Sequence, residues 1–239
     1  MDVTREDQLE KAVDFIEENL PPGSKGLWAV VNNAGVCVCG EFDWQTLEQI
    51  EKQVAVNLMG TLRVTKLFLP LLKRGRGRIL NVSSVAGVYA YPGLSVYCAT
   101  KQAVEGFSQA LRLELDKFGV DVISIQLGDF STATNLLNTH HKNMNHMWAE
   151  MTEQSREDYK QYFLAYHDMV AKSGFTGHRM KPSSLIPQSV LRGFEVALLA
   201  KVPSKTYSLL PTWTNMIKLV LMGMMPSVWS QKIVSRRFF

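Results

Sequence analysis

Residues 27–35 read Leu-Trp-Ala-Val-Val-Asn-Asn-Ala-Gly, an apolar run of strand length followed at once by small residues. A continuous apolar run of this kind is typical of a strand buried on both faces of a parallel sheet. Small residues directly after such a strand let the backbone approach a ligand closely. The stretch therefore predicts a parallel-sheet protein with a binding loop at the end of this strand.

Outward from this stretch, strands and helices alternate along the chain. Helices are predicted over residues 5–20 (with Thr4 as N-cap), 47–72 (interrupted or ended near Pro70), 95–118 (ending at Gly119) and 187–201. Further strands are predicted over residues 79–83, 120–127 and 205–210. This alternation is the signature of a doubly wound α/β fold, and 239 residues fit a single domain of that kind.

The composition bounds the class of protein. With 46% hydrophobic residues the chain can build a core, and a net charge of +4 argues neither for nor against an acidic partner. The basic run 73–78 is interpreted as an exposed helix-to-strand loop, because nucleic-acid-binding domains show a wider basic face. Cys37, Cys39 and Cys98 fit neither a disulfide framework nor a zinc motif, which indicates a reducing compartment. We therefore predict no nucleic-acid partner.

The regular alternation of predicted strands and helices ends after Gly128. Residues 129–185 are polar, helical in patches and rich in His, Asn and Met. A segment inserted after a strand's carboxyl end lies where an open α/β sheet binds its ligand. His140, His141 and His146 have no carboxylate or cysteine at ligand spacing, so the segment is predicted to be a polar loop over a substrate pocket rather than a metal site.

The tail, residues 211–239, is apolar and basic by turns. Its apolar run is too short for the roughly 20 residues of a bilayer span. Residues 213–239 fit a membrane interface, where tryptophans and basic groups lie at the boundary. They fit equally a helix that covers the substrate pocket or forms a subunit contact. The Met content favours an adaptable apolar pocket and hence a lipid-like or steroid-like substrate.

Three side chains at the ends of predicted elements form a candidate chemical site. Tyr97 and Lys101 are four residues apart on a helix, so they share a face one turn apart. A nearby ammonium favours the phenolate of tyrosine, which makes the pair a candidate general acid/base. Ser84 ends a predicted strand and can donate a hydrogen bond to a substrate oxygen. Asn57, a poor helix former within an apolar stretch, fits a structural role as well as a catalytic one.

Five motifs in order make the chain resemble the short-chain dehydrogenase/reductase family over nearly its whole length. The motifs are Asn32-Asn33-Ala34-Gly35, Asn57, Asn81-Val82-Ser83-Ser84, Tyr97-Cys98-Ala99-Thr100-Lys101, and Gly128 with Thr132. Residues 27–35 and 148–163 look most like the branch that holds hydroxybutyrate, 17-beta-hydroxysteroid and retinol dehydrogenases. The resemblance implies a Rossmann-like fold, a homo-oligomer paired through helices 47–72 and 95–118, and an intracellular location, with membrane association at the mitochondrion or endoplasmic reticulum.

The resemblance also implies roles for individual residues. Tyr97 exchanges a proton with the substrate oxygen while hydride moves to or from the nicotinamide of NAD or NADP. Lys101 lowers the pKa of Tyr97 and binds the nicotinamide ribose, Ser84 orients the carbonyl or alcohol, and Asn57 holds a water in a relay to Lys101. The remaining cofactor contacts are implied for Tyr97 itself, for Asp2 at the adenine, for Asn33, Ala34 and Gly35 at the adenosine side, and for Gly128 and Thr132 at the nicotinamide. No metal is implied.

The chain departs from the family at its start and at Leu127. Asp2-Val3-Thr4 matches the end of the family's third strand, so two strand-helix units of roughly 60 residues and the Gly-rich turn for the pyrophosphate are expected to be missing. Leu127 stands where the family usually has proline, which predicts a looser turn. Strand 27–31 is expected to become an open sheet edge.

Two functions follow as expectations. The first is an oxidoreductase that transfers hydride between a nicotinamide cofactor and a secondary alcohol or ketone of hydroxybutyrate, steroid or retinoid type. The alternative is a truncated, non-catalytic member that acts as a partner subunit. The survival of Ser84, Tyr97 and Lys101 favours the first.

Overall fold

The computed structural model describes residues 1–131, 133–173 and 187–211 and contains a parallel sheet. Within that part of the chain the sheet has four strands: β1 Ala29–Asn32, β2 Arg78–Ser84, β3 Asp121–Leu127 and β4 Thr206–Leu209, in the order β1-β2-β3-β4. All neighbours pair in parallel, and Ser84 lies in register with Leu127 at one end. The three carboxyl ends of β1, β2 and β3 therefore meet at one edge of the sheet.

Helices connect the strands and cover both faces of the sheet, which confirms the doubly wound α/β fold. They are α1 Glu6–Glu18, α2 Leu47–Gln53, α3 Thr61–Gly75, α4 Ser95–Leu115, α5 His140–Glu150, α6 Glu153–Ser173 and α7 Gln188–Leu199. A π-helical segment, Val54–Gly60, joins α2 to α3. Each predicted helix and strand in the described residues is present, with bounds that differ by a few residues. The tail 213–239 and Thr132 lie outside the described residues.

The core forms because successive side chains of β2 and β3 point to opposite faces. Ile79 and Val122 pack with buried side chains of α1, α3 and α4, whereas Leu80 and Ile123 pack on the other face with α7. Every residue of β2 is buried, as expected of a strand covered on both faces. Each fully buried Leu or Ile contributes roughly 1.5–3 kcal/mol to the free energy of folding.

Strand β1 is less well covered than its apolar sequence predicts. Val31 is 41% exposed and Trp28, just before β1, is 54% exposed, and β1 forms an edge of the described sheet. The expectation of a strand buried on both faces is therefore wrong, and the expectation of an open apolar edge is confirmed for the described residues.

Two expectations about helix ends are also wrong. Thr4 is not the N-cap of α1, since its hydroxyl donates to Asp2 and the N-cap position is Arg5. Pro70 lies inside α3 and does not end it; the helix continues to Gly75 and stops where Arg76 takes a left-handed conformation. A proline removes one backbone donor, and packing of the amphipathic helix against α1 and β1 retains the helix beyond it.

The stretch 47–75 is long and apolar enough to cross a membrane by length and composition alone, since an 18-residue window within it has a mean hydropathy of 1.3. In this fold the stretch is a core element, because α3 packs against α1 and β1 and contributes Phe68, Leu71 and Leu72 to the core.

Arg78 is buried at the start of β2, although it belongs to the basic run predicted to be an exposed loop. Its guanidinium donates to the carbonyl oxygens of Ala197, at 2.8 Å, and of Ala200 at the end of α7. A cation is favourable at a helix C-terminus, where backbone carbonyls lack partners. Arg78 therefore fixes α7 against the sheet.

The helices α5 and α6 are anchored over the carboxyl edge of the sheet by Trp44, which is buried. Four rings of α6 surround Trp44 at centroid distances of 5.1–5.6 Å: Tyr159, Tyr162, Phe163 and Tyr166. Tyr166 also donates to the carbonyl of Gly93, just before α4, at 3.4 Å. The predicted polar loop over the pocket is thus a pair of helices with an aromatic anchor.

His140 and His167 form a buried pair within this helical cover. Nδ1 of His167 and Nε2 of His140 are 3.1 Å apart, so one imidazole donates to the other. Burial, followed by the charges of His140 and His141, lowers the pKa of His167 to about 3, and burial also lowers the pKa of His140. In the described residues no group of three or more His, Cys, Asp or Glu side chains could hold a metal ion.

We expect Gly93→Ala to destabilise the protein and Gly106→Ala to stabilise it. Gly93 has φ +72°, and a Cβ there would lie 2.0 Å from the Tyr166 hydroxyl, so the variant should lose about 2–4 kcal/mol. Gly106 is an exposed position of α4 where a Cβ meets nothing within 4 Å, so alanine should gain about 0.5–1 kcal/mol. Urea denaturation followed by tryptophan fluorescence measures both; equal effects of the two changes would contradict the close approach of Gly93 to Tyr166.

We also expect the free energy of unfolding to fall as the pH is lowered from about 6.5 towards 3. The pKa of His167 is depressed in the folded state, so the unfolded chain binds the proton more readily, and stability is fully present only above the ordinary histidine range. The measurement is the urea midpoint at pH 7.5 and pH 5. A His140→Leu/His167→Phe double variant should show a flatter dependence, and His146→Gln on the same helix should not.

Candidate active site

A cavity of about 400 Å³ lies at the carboxyl ends of β1, β2 and β3. Its floor carries the polar groups singled out from the sequence, and its walls come from the loop after β1, from α2 and from the start of the helical cover. The residues that line the cavity include Asn33, Gly35, Cys37, Gln49, Lys52, Ser84, Leu94, Tyr97, Lys101, Gly128, Asp129, Phe130 and Asn143. The sheet topology therefore brings together residues that are far apart in the chain.

Ser84 and Tyr97 face each other at the floor of the cavity. Ser84 is the last residue of β2, and its hydroxyl accepts from the backbone N–H of Ala86 at 3.1 Å. Tyr97 lies in the first turn of α4 and is 8% exposed. Burial raises the pKa of Tyr97 well above its usual range, and the thiolate form of nearby Cys37 acts in the same direction, while the hydrogen bond with Ser84 lowers it. The phenol is therefore held as a neutral proton donor.

Lys101 lies one turn beyond Tyr97 on the same face of α4 and is 5% exposed. Its ammonium Nζ donates to the carbonyl of Val82 at 2.9 Å and lies 5.7 Å from the centroid of the Tyr97 ring. Burial lowers the pKa of Lys101 to about 8, and the thiolate form of Cys37 and the charge of Glu105 oppose that change. Burial is the larger effect on the phenol, so the pKa of Tyr97 is raised overall, and the expectation that Lys101 lowers it stays a prediction.

Asn57 links three elements around the cavity and is buried in the π-helical segment. Its amide oxygen accepts from the N–H of Val36 at 2.8 Å, and its amide nitrogen donates to the Val36 carbonyl at 2.9 Å and to the Thr100 hydroxyl at 3.1 Å. These bonds hold the loop after β1 against α4. A side chain used in this way positions its neighbours. The role of Asn57 in holding a water for a relay to Lys101 stays a prediction.

The small residues after β1 open the cavity toward Lys101. Asn33 and Gly35 line it, whereas Ala34 is exposed and lies outside the lining. A Cβ on Gly35 would lie 3.5 Å from Oδ1 of Asn57 and 3.6 Å from Nζ of Lys101. The missing side chain therefore leaves a space that faces both groups.

The other predicted cofactor residues differ in their placement. Gly128 lines the cavity, and a Cβ there would lie 2.6 Å from Pro211, so the tight packing at the end of β3 depends on glycine. Asp2 is exposed and absent from the lining; its carboxylate accepts from the N–H and hydroxyl of Thr4, which hold its pKa below the usual range.

The far wall of the cavity is formed by polar residues of α2 and α5 that sequence reasoning missed. Gln49 donates to the backbone carbonyl of Asn143 at 3.0 Å, and Lys52 lies one turn away on α2. Gln53 accepts from the N–H of Val38 at 3.1 Å. The recurrence of glutamine at positions 45, 49 and 53 is the signal that could have shown a polar helix face directed at the site.

Comparisons with known proteins identify the family of the chain. The short chain dehydrogenase family model matches residues 1–143. D-beta-hydroxybutyrate dehydrogenase of Rattus norvegicus is 38% identical over 87% of this chain and 60% of that protein. Bovine 17-beta-hydroxysteroid dehydrogenase type 6 is 38% identical over 71% of this chain and 53% of that protein, and mouse retinol dehydrogenase 7 is 35% identical over 69% and 51%. The chain thus matches between half and three fifths of these relatives' lengths.

Solved structures give the same architecture. A short-chain dehydrogenase from Streptomyces avermitilis superposes with a TM-score of 0.67 at 22% identity, over 99% of this chain and 78% of that one. A gluconate 5-dehydrogenase from Burkholderia cenocepacia, solved with NADP and tartrate, gives a TM-score of 0.53 at 26% identity over 58% of this chain and 52% of that one. The family model covers more than half of the chain, and the branch expected from the motifs holds the relatives found: the chain belongs to the short-chain dehydrogenase family.

Proposed function

We propose that the protein is an oxidoreductase that transfers a hydride between a nicotinamide cofactor and a secondary alcohol or ketone. The observation that carries this proposal is the convergence of Ser84, Tyr97 and Lys101 on one cavity at the carboxyl edge of a parallel sheet. That edge is where open α/β sheets bind their ligands. Membership of a dehydrogenase family supports the same activity.

The cavity fits the nicotinamide and ribose end of NAD or NADP. The space above Gly35, next to the Lys101 ammonium, suits a ribose hydroxyl, and the end of β3 at Gly128 suits the nicotinamide ring. Asn33, Ala34 and Gly35 follow β1 on the side proposed for the adenosine. When bound, the cofactor supplies or accepts the hydride. No glycine-rich turn of the kind that cradles a pyrophosphate occurs between residues 1 and 131.

The protein's own groups handle the substrate oxygen and its proton. Ser84 donates a hydrogen bond to that oxygen, and this bond is strongest when negative charge develops on the oxygen. Tyr97, held neutral by burial, gives its proton to the oxygen when a ketone is reduced and becomes a phenolate. When an alcohol is oxidised, Tyr97 must first lose its proton, and the phenolate then takes the proton of the hydroxyl group. Lys101 stabilises the phenolate that remains, and Asn57 keeps the wall of the cavity in place.

The cavity lining and the relatives support a class of substrate rather than one compound. The cavity wall combines apolar side chains such as Leu94 and Phe130 with polar ones such as Gln49 and Asn143, which fits a molecule with an apolar body and a hydroxyl or keto group. The relatives named for hydroxybutyrate, steroids and retinol support that range. We further propose a homo-oligomer, a membrane-surface contact through residues 213–239, and a location at the mitochondrion or endoplasmic reticulum. The comparisons give no support to a non-catalytic partner subunit.

Cofactor binding tests the proposal directly. Titration calorimetry of the 239-residue chain with NADH and with NADPH should show saturable binding of one of them, with circular dichroism to confirm the fold. Gly35→Val fills the space beside Lys101 and should weaken binding at least tenfold. A folded chain that binds neither cofactor would contradict the proposed activity.

Tyr97→Phe should reduce the turnover of any accepted alcohol or ketone by roughly 10²–10⁴-fold, because the ring remains while the proton carrier is removed. Cofactor affinity should change little. Tyr207→Phe, which alters a tyrosine of β4 outside the cavity lining, serves as the control and should retain full turnover. Undiminished turnover in Tyr97→Phe would show that another group carries the proton.

A further inference from the structure

A third ionisable side chain shares the face of α4 that carries Tyr97 and Lys101. Glu105 lies one turn beyond Lys101, since residues four apart on a helix are neighbours. It is 8% exposed, and the cavity lining does not include it. A carboxylate is rarely buried without a partner or a task, because removing its charge from water is costly.

The carboxylate of Glu105 is fixed by the central part of the sheet. The hydroxyl of Ser124, in the middle of β3, donates to Oε1 of Glu105 at 2.7 Å. Ser124 is itself buried, and its backbone N–H donates to the carbonyl of Lys205. In the described residues, the ammonium nitrogen of Lys101 and the carboxylate oxygens of Glu105 form no ion pair within 4 Å. The Lys101 ammonium donates instead to the carbonyl of Val82.

Four groups could influence the charge of Lys101 from the elements packed around it. They are Cys37 from the loop after β1, Tyr97 and Glu105 from α4, and Asp129 after β3. Burial raises the pKa values of the Cys37 thiol and the Tyr97 phenol, so neither carries charge at neutral pH. Asp129 accepts from the N–H and hydroxyl of Ser131, and its charge acts on Cys37. Once ionised, the Cys37 thiolate would oppose the loss of the Lys101 proton more strongly than Glu105 does. At neutral pH that thiol is protonated, and Glu105 is the negative charge that acts on Lys101.

We propose that Glu105 is a positioning residue that, fixed by Ser124, keeps the buried Lys101 side chain protonated at the floor of the cavity. Burial alone favours the neutral amine of lysine, and a nearby carboxylate opposes that effect without contacting the substrate. The charge acts on Lys101 over several ångströms because both side chains are buried. This inference rests on the role of Lys101 in the proposed oxidoreductase function.

The test measures the titration of Lys101 itself, by NMR of protein labelled with ¹³C at the lysine Cε and assigned with Lys101→Met. In the wild type the midpoint is expected near pH 8. Glu105→Gln removes the charge, keeps the shape and the bond from Ser124, and should lower that midpoint by about one pH unit. Glu105→Asp restores the charge and should recover most of the difference. Glu114→Gln, an exposed glutamate of the same helix, should leave the midpoint unchanged.

A second NMR measurement needs no substitution at Glu105. In wild-type protein the carboxyl carbon of Glu105 should show an inflection at the pH at which Lys101 titrates, and Lys101→Met should abolish it, because coupling between two sites is reciprocal. An unchanged Lys101 midpoint in folded Glu105→Gln, or the lack of that inflection, would overturn the proposal. Neither reading uses turnover or cofactor, so a failure of the oxidoreductase function would appear separately, in the binding titration.

Discussion

The geometry of the cavity depends on one side chain, the amide of Asn57. Two of its hydrogen bonds join both polar atoms of the Val36 backbone, and a third reaches Thr100 in the helix that carries Tyr97 and Lys101. The loop after an edge strand would otherwise have few fixed contacts. An amide that satisfies a backbone N–H and C=O together substitutes for a sheet partner there. The relative position of Gly35 and Lys101, and hence the shape of the site, follows from it.

The protonation states of Tyr97 and Lys101 at the floor of the cavity depend more on burial than on pairing with other charged groups. Tyr97 and Lys101 are both removed from water, and burial favours the neutral form of each, the phenol and the amine. The two effects act in opposite directions on proton affinity: the phenol holds its proton more tightly and the ammonium more loosely. A proton is thus stored on the group that meets the substrate, while the lysine depends on the buried carboxylate of Glu105 to retain its own.

Much of the fold could be predicted from the sequence because its signals are local. Strands β2 and β3 are short apolar runs, α4 is strongly periodic, and the four-residue spacing of Tyr97 and Lys101 fixes a shared helix face. The features that were missed or wrong depend on contacts between distant segments. The hydrogen bonds from Arg78 to the end of α7 span about 120 residues. The ring contacts of Trp44 with α6 and the hydrogen bond from Tyr166 to Gly93 can be recognised only once the helices are placed. Likewise, the pKa of Tyr97 is set by burial, which spacing does not reveal.

The anchoring of α5 and α6 through Trp44 has a consequence for how the protein could acquire new substrates. The rings around Trp44 face inward, so the cover is attached at a site separate from the residues that line the cavity, such as Asn143. Side chains on the cavity side of α5 can therefore be exchanged while the attachment and the floor at Ser84 remain as they are. The architecture separates the selection of a molecule from its chemistry, which allows specificity to diverge between related genes without a new catalytic apparatus.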